Sequence, residues 1–153
     1  MLNQLRSGFS LIELMVAVSL ILILTLIAVP AMDTMLKQNT VRSQANSLLA
    51  LLQFTRSEAI KQQQTIQLTL SDTDEGWKAD VTRVTDAQLL RSMSHDTVDI
   101  LLTDDTTVLF DAKGRSAAQA CITLSYTGHS DLDRHLSVSL GGQIAVEPGG
   151  CGV

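Results

Sequence analysis

Between residues 9 and 29, apolar side chains occupy every angular phase of a helix, and the polar positions are confined to Ser10, Glu13, Ser19 and Thr25. A helix that is apolar all round is surrounded by lipid or by other protein rather than by water. At about 1.5 Å of rise per residue the run covers roughly 31 Å, close to the ~30 Å hydrocarbon thickness of a bilayer, so it is long enough to span one. After Pro30 the pattern becomes amphipathic. Val41, Ala45, Leu48, Leu49, Leu52, Ala59 and Ile60 recur at helical spacings, while Arg42, Gln44, Gln53, Arg56, Lys61 and Gln62 fall largely between them. One long helix, bent at Pro30, is therefore predicted to about Gln63, with the apolar stripe of its outer half packed on the chain's own head.

From Gln64 onward the period shortens to that of strands. TIQLTL (65–70) alternates strictly, and GWKADVTRV (76–84), VDILL (98–102), TVLF (107–110), CITLSY (121–126) and LSVSL (136–140) follow. Turn residues separate them at Asp74-Glu75-Gly76, Asp104-Asp105, Lys113-Gly114 and Thr127-Gly128, and Gly141-Gly142 is expected to join LSVSL to QIAV through a two-residue hairpin loop. The expected architecture is α+β, a long N-terminal helix packed on an antiparallel β head. No repeat of 20 to 50 residues is visible.

Composition changes this picture in three ways. The 153 residues allow one modest domain beside the N-terminal segment, and the 45% hydrophobic content is concentrated in that segment. The leader MLNQLRSG carries Arg6 as its one charge, which keeps the extreme N-terminus cytoplasmic and sends the head outward. A secretory signal peptide, cut near Val29-Pro30-Ala31, is the plain alternative, although the apolar run exceeds the usual ~7–15 residues of such a peptide and Glu13 would weaken its insertion. Cys121 and Cys151 are most simply a disulfide in a head outside the cytoplasm, closing a loop worth up to about 3.7 kcal/mol in chain entropy, with a metal pair or two free thiols as the alternatives.

Glu13 is the odd residue of the apolar run. An intramembrane carboxylate is tolerated when it is protonated or meets a positive charge in the same dry environment. Cutting between Gly8 and Phe9 would free an α-amino group one turn before Glu13, or opposite the Glu13 of a staggered neighbour. The pair would then set the register between packed helices.

These residues carry a resemblance. Gly8-Phe9-Ser10-Leu11-Ile12-Glu13-Leu14-Met15-Val16 resembles the cleavage and methylation site of type IV prepilins. The resemblance implies that prepilin peptidase cuts after Gly8 and N-methylates Phe9, that Glu13 aids entry into a filament, and that Pro30 kinks the helix. ANSLLALLQFTRSEAIKQQQTIQLTL followed by Gly76-Trp77 narrows it to the GspH/FimT family of minor pilins and pseudopilins, and AVPAM with SQAN leans toward the FimT/FimU-like pilus branch. The implied partners are prepilin peptidase, other minor and major pilins, the inner-membrane assembly platform, and membrane lipid before assembly. The implied location is the bacterial inner membrane with the head in the periplasm, then the pilus. The division follows as leader 1–8, filament-core helix 9–29, amphipathic helix 30–63 and β-rich head 64–153.

Some FimT-like relatives bind DNA through a basic, Gly-Arg-containing stretch near the C-terminus, but the comparable residues here, 141–147, hold no cation. From Gln64 there are six Lys or Arg against thirteen Asp or Glu, a formal −7, whereas residues 1–63 carry five against three, +2; together they give the −5 of the chain. Such a head repels a duplex at low salt unless Arg83, Arg91, Lys113, Arg115 and Arg134 cluster. Asp72, Asp74 and Glu75, or Asp131 with Asp133, lack the spacing of a calcium loop. His129, Ser130, Asp131 and His135 show neither a zinc motif nor the signals of a triad. Trp77 and Tyr126 read as packing aromatics. No cofactor is expected, and the chain is read as an assembly subunit rather than an enzyme; the rival readings are a type II secretion pseudopilin, a DNA-uptake adhesin and an exported enzyme.

Overall fold

The computed structural model describes residues 10–96, 99–102 and 105–151, with residues 27 and 29–31 described for their backbone alone. A single helix, α1 (Leu11–Gln62), precedes eight strands: β1 (Ile66–Thr73), β2 (Gly76–Arg83), β3 (Leu89–His95), β4 (Ile100–Leu102), β5 (Thr106–Phe110), β6 (Ala120–Tyr126), β7 (His129–Val138) and β8 (Ile144–Pro148). The chain forms two compact units, Met1–Leu36 and Lys37–Val153.

In the first unit the described side chains of α1 are exposed on every side, from Leu11 at 77% and Ile12 at 71% to Leu26 at 78%. Among the described residues no helical window is long and apolar enough to cross a membrane. The run 9–29 read as a span begins at Phe9, outside the described residues, and ends at Val29, whose side chain is not described. The backbone stays helical through Pro30, whose side chain also lies outside the description.

In the second unit the same helix has one buried face. Val41, Ala45, Leu48, Leu51, Leu52 and Ala59 are at most 1% exposed, and full burial of each leucine contributes about 1.5–3 kcal/mol. The stripe is wider than its sequence spacing predicts: Leu51 joins it, Leu49 is only half-buried and Ile60 is 43% exposed. The helix ends where Gln63 turns left-handed (φ 54°) and the Gln64 N–H reaches back to the Ala59 carbonyl at 3.2 Å, with Lys61 in the last turn.

The head is two four-stranded antiparallel sheets, ordered β3-β2-β1-β5 and β4-β6-β7-β8. Alternation places Ile66, Leu68 and Leu70 of β1, Trp77, Ala79 and Val81 of β2, and Ile122, Leu124, Leu136 and Val138 of β6 and β7 in one core with the helix stripe. The division into two sheets is not visible locally, because β4 leaves the first sheet to pair with β6 before β5 returns to pair with β1.

Two local expectations are corrected. The hairpin expected at Gly141-Gly142 with a two-residue loop is wider. β7 ends at Val138, and the connection is closed by Gly142 N–H to Ser139 O at 2.8 Å and Ser139 N–H to Gln143 O at 2.9 Å. Tight two-residue turns occur instead at Thr127-Gly128, flanked by the pair Tyr126–His129, and at Asp74-Glu75, flanked by Thr73–Gly76. The strand β3 was not expected. Its core-side row carries Arg91 and His95, which break the apolar alternation: Arg91 sits 5.3 Å over the Phe54 ring and His95 4.8 Å from Trp77. The exposed Arg91, a charge on an edge strand, also discourages edge-to-edge pairing.

Candidate functional site: the apolar helix and the helix–head junction

The start of α1 is built by two side chains. Ser10 Oγ accepts the Glu13 N–H at 3.2 Å, and Glu13 Oε2 accepts the Ser10 N–H at 3.4 Å, a reciprocal cap on two backbone donors that the first turn leaves open. Further along, Ser19 Oγ donates to the Met15 carbonyl at 2.7 Å and Thr25 Oγ1 to the Ile21 carbonyl at 2.6 Å. All four polar residues of the apolar run thus have their side chains hydrogen-bonded within the helix, as a dry environment requires. Gly8 and Phe9, the expected cleavage and methylation pair, lie outside the described residues. The Ser-x-x-Glu spacing is the sequence signal for this local partner of Glu13, which pairing with a freed amine does not include.

The segment Arg56 to Lys61 fastens the helix to the head. Arg56 Nε donates to the Gly114 carbonyl at 2.9 Å, and a Cβ placed on Gly142 would run into that same carbonyl oxygen, so helix, β5–β6 loop and β7–β8 loop meet at one point. Gly114 (φ 73°) and Gly142 (φ 75°) both hold left-handed conformations there. Asp111 ties its loop by accepting the Lys113 and Arg115 N–H groups at 2.9 Å and the Arg115 guanidinium at 2.8 and 2.9 Å. The backbone and side chain of Arg115 hold the Asp111 carboxyl below the usual range. Glu58, lowered by hydrogen bonds from Gln62 and Lys61, joins a chain in which Gln62 accepts Arg83 Nε at 2.8 Å and Arg83 in turn meets Asp86 at 2.8 Å.

Near the start of the second unit, Lys37 Nζ lies 3.3 Å from His129 Nε2 and 5.8 Å from the centre of the Tyr126 ring, whose hydroxyl donates to Asp99 at 3.1 Å. Gln44, read from sequence as a solvent position, is 3% exposed and accepts the Trp77 Nε1–H at 2.6 Å. Trp77 itself is 1% exposed, a core aromatic.

Cys121 and Cys151 are disulfide-bonded with Cα atoms 5.9 Å apart. The Cys151 N–H also donates to Thr123 Oγ1 at 3.0 Å, and His135 Nδ1 lies 3.1 Å from the Gly149 carbonyl, so the C-terminal tail is held on the outer face of β6 and β7. Of the arginines weighed for nucleic acid, three are spread over separate partners, Arg83 on Asp86, Arg91 on Phe54 and Arg115 on Asp111, while Arg134 lies beside Arg42. Among the described residues no three His, Cys, Asp or Glu side chains are grouped to hold a metal.

The family described as "Type II transport protein GspH" matches residues 44–142, and the "Prokaryotic N-terminal methylation motif" matches residues 3–29. The chain belongs to the GspH family. Two crystal structures of the type IV minor pilin FimU of Pseudomonas aeruginosa, strain PAO1, are similar to it. The form in space group P65 is 27% identical over 70% of this chain and 92% of that one, with TM-score 0.57. The form in space group P21 is 24% identical over 72% and 90%, with TM-score 0.57. Among proteins of curated function, none matches. The helix-plus-antiparallel-sheet architecture of this GspH-family chain is the type IV pilin fold, and family and fold are those of structural pilin subunits. The methylation motif implies processing by prepilin peptidase and assembly with other pilins.

Proposed function

We propose that the chain is a minor pilin of a type IV pilus. Prepilin peptidase cuts after Gly8 and N-methylates Phe9. The helix 9–29 anchors the protein in the inner membrane with its head in the periplasm, and then packs in the filament or its initiating tip complex. In this reading Glu13 sets register, Pro30 bends the helix, and residues 64–153 form the exposed head.

The observation that carries the reading is the stretch of α1 from Leu11 to Leu26, apolar and exposed on every side, with the side chains of Ser10, Glu13, Ser19 and Thr25 hydrogen-bonded locally. Such a surface is stable only in lipid or against other apolar helices, and a pilin moves from one to the other. The likeness to the minor pilin FimU supports the pilus branch. A second reading, a type II secretion pseudopilin, has the family description in its favour. Immunodetection in surface filaments sheared from the native cell tests the choice. The mature chain is expected in the sheared fraction, and its confinement to the membrane of cells bearing pili contradicts the pilus reading.

A further inference from the structure

We propose that Arg42, Asn46 and Arg134 form a socket for a carboxylate side chain of a neighbouring pilin subunit, an inference that rests on the pilin reading above. On β7 the core-facing row runs Leu132, Arg134, Leu136, Val138, and the three apolar members are buried. Arg134 therefore places a cation in an apolar row, half-buried, opposite the fully buried Leu124 of β6. A cation there is costly unless it is paired.

No acceptor pairs it. Among the described residues the side chains of Arg134 and Arg42 have no hydrogen-bond or ion-pair partner, whereas those of Arg56, Arg83 and Arg115 each do. The nearest acids in sequence belong to the opposite face: Glu147 pairs across the sheet with His135, 3.6 Å away, and Asp133, whose buried Oδ1 has no hydrogen-bond partner among the described residues, alternates away from Arg134 along β7. Arg42 follows the buried Val41 on α1, and with Ala45, Asn46, Arg134 and Val146 it lines a concavity of about 270 Å³.

Two guanidiniums sharing one concavity repel each other until an anion enters, and a carboxylate is the anion that matches their planar forks. The occupant belongs to a protein rather than to a duplex. A head of formal −7 repels an extended polyanion, while a single carboxylate needs only these two cations. The site also borders β8, which ends the order of its sheet and leaves a backbone edge beside Val146 for the neighbour to approach.

The test compares wild type, R42Q/R134Q and R42K/R134K, each as the full chain in its native cell, by the ratio of mature chain in sheared filaments to mature chain in the membrane. Replacing both cations should lower that ratio about tenfold or more, since hydrogen bonds to a charged group are lost, and the lysine pair, which keeps the charge but not the planar forks, should fall between that variant and wild type. Should R42Q/R134Q fail to accumulate, R42Q alone, at an exposed position, is read in the same way and should lower the ratio about threefold. A ratio equal to wild type overturns the socket while leaving the pilin reading intact; absence of the wild type from filaments overturns both. Retardation of a short duplex at low salt by the full chain in detergent, abolished in R42Q/R134Q with the filament ratio unchanged, overturns it in favour of nucleic acid.

Discussion

Ser10 and Glu13 hold each other across the first turn of α1, the serine hydroxyl on the Glu13 N–H at 3.2 Å and the carboxylate on the Ser10 N–H at 3.4 Å. Capping and charge are separable at this residue. A glutamine at the same place keeps an amide oxygen for the Ser10 N–H and removes the charge. Glu13→Gln should therefore insert in the membrane and be processed as wild type, yet enter filaments several-fold less. Incorporation equal to wild type would show that the carboxylate serves the cap alone, and Ser10→Ala, which loses about 1 kcal/mol of capping but no charge, is the control expected to assemble.

The Gln44 to Trp77 hydrogen bond, 2.6 Å long and buried, joins helix to sheet. Gln44→Leu fills the space but strands an indole N–H, which costs about 1–3 kcal/mol. Because Trp77 is the sole tryptophan, its fluorescence reports both the loss of stability and any wetting of the indole. Unchanged denaturant stability with an unchanged emission maximum would contradict the assignment.

Gly142→Ala meets two obstacles, a φ of 75° and a Cβ directed at the Gly114 carbonyl oxygen that Arg56 also contacts. A loss of at least about 1–3 kcal/mol is expected in chemical denaturation of the full chain in detergent. Gly128→Ala also sits at positive φ (77°) but has open space around its Cβ, and should cost less. Equal losses would show that the three-way junction adds nothing.

Acid should weaken the head. Asp111, Asp86 and Glu58 are lowered chiefly by hydrogen bonds, and Asp80 is lowered by Lys78 and Ser92 against the opposing effect of burial. The unfolded chain therefore binds more protons, and the stability these groups supply is full above the ordinary carboxylate range of about pH 4 and is lost as pH falls through the folded values. The Tm of the full chain should be level from about pH 7 to 5 and decline below about pH 4, with a shallower decline in Asp111→Asn. A Tm that holds or rises over the acid range contradicts this.

Periodicity made most of the fold legible. The apolar run, the stripe from Val41 to Ala59 and the alternation in β1, β2, β5 and β6 all lie where hydrophobic spacing puts them. What stayed hidden depends on partners distant in sequence. The polar Gln44 is buried because Trp77 needs an acceptor there; β3 carries Arg91 and His95 on its inner row because Phe54 and Trp77 offer faces to stack on. The split into two sheets follows from the excursion of β4, and the wider Gly141-Gly142 loop is closed by bonds between Ser139, Gly142 and Gln143 and packs against Gly114 of a distant loop. Along the first half of α1 the sequence supplied the motif and the apolar run, while the unpartnered side chain of Arg134 emerged only once β7 was in register with β6.

The intact mass of the chain taken from sheared filaments, with sequencing of its first residues, bears most directly on the assembly role. A product that begins at N-methylated Phe9 and retains the whole apolar segment is predicted. A chain that still carries residues 1–8, or one that begins beyond Val29, would contradict it.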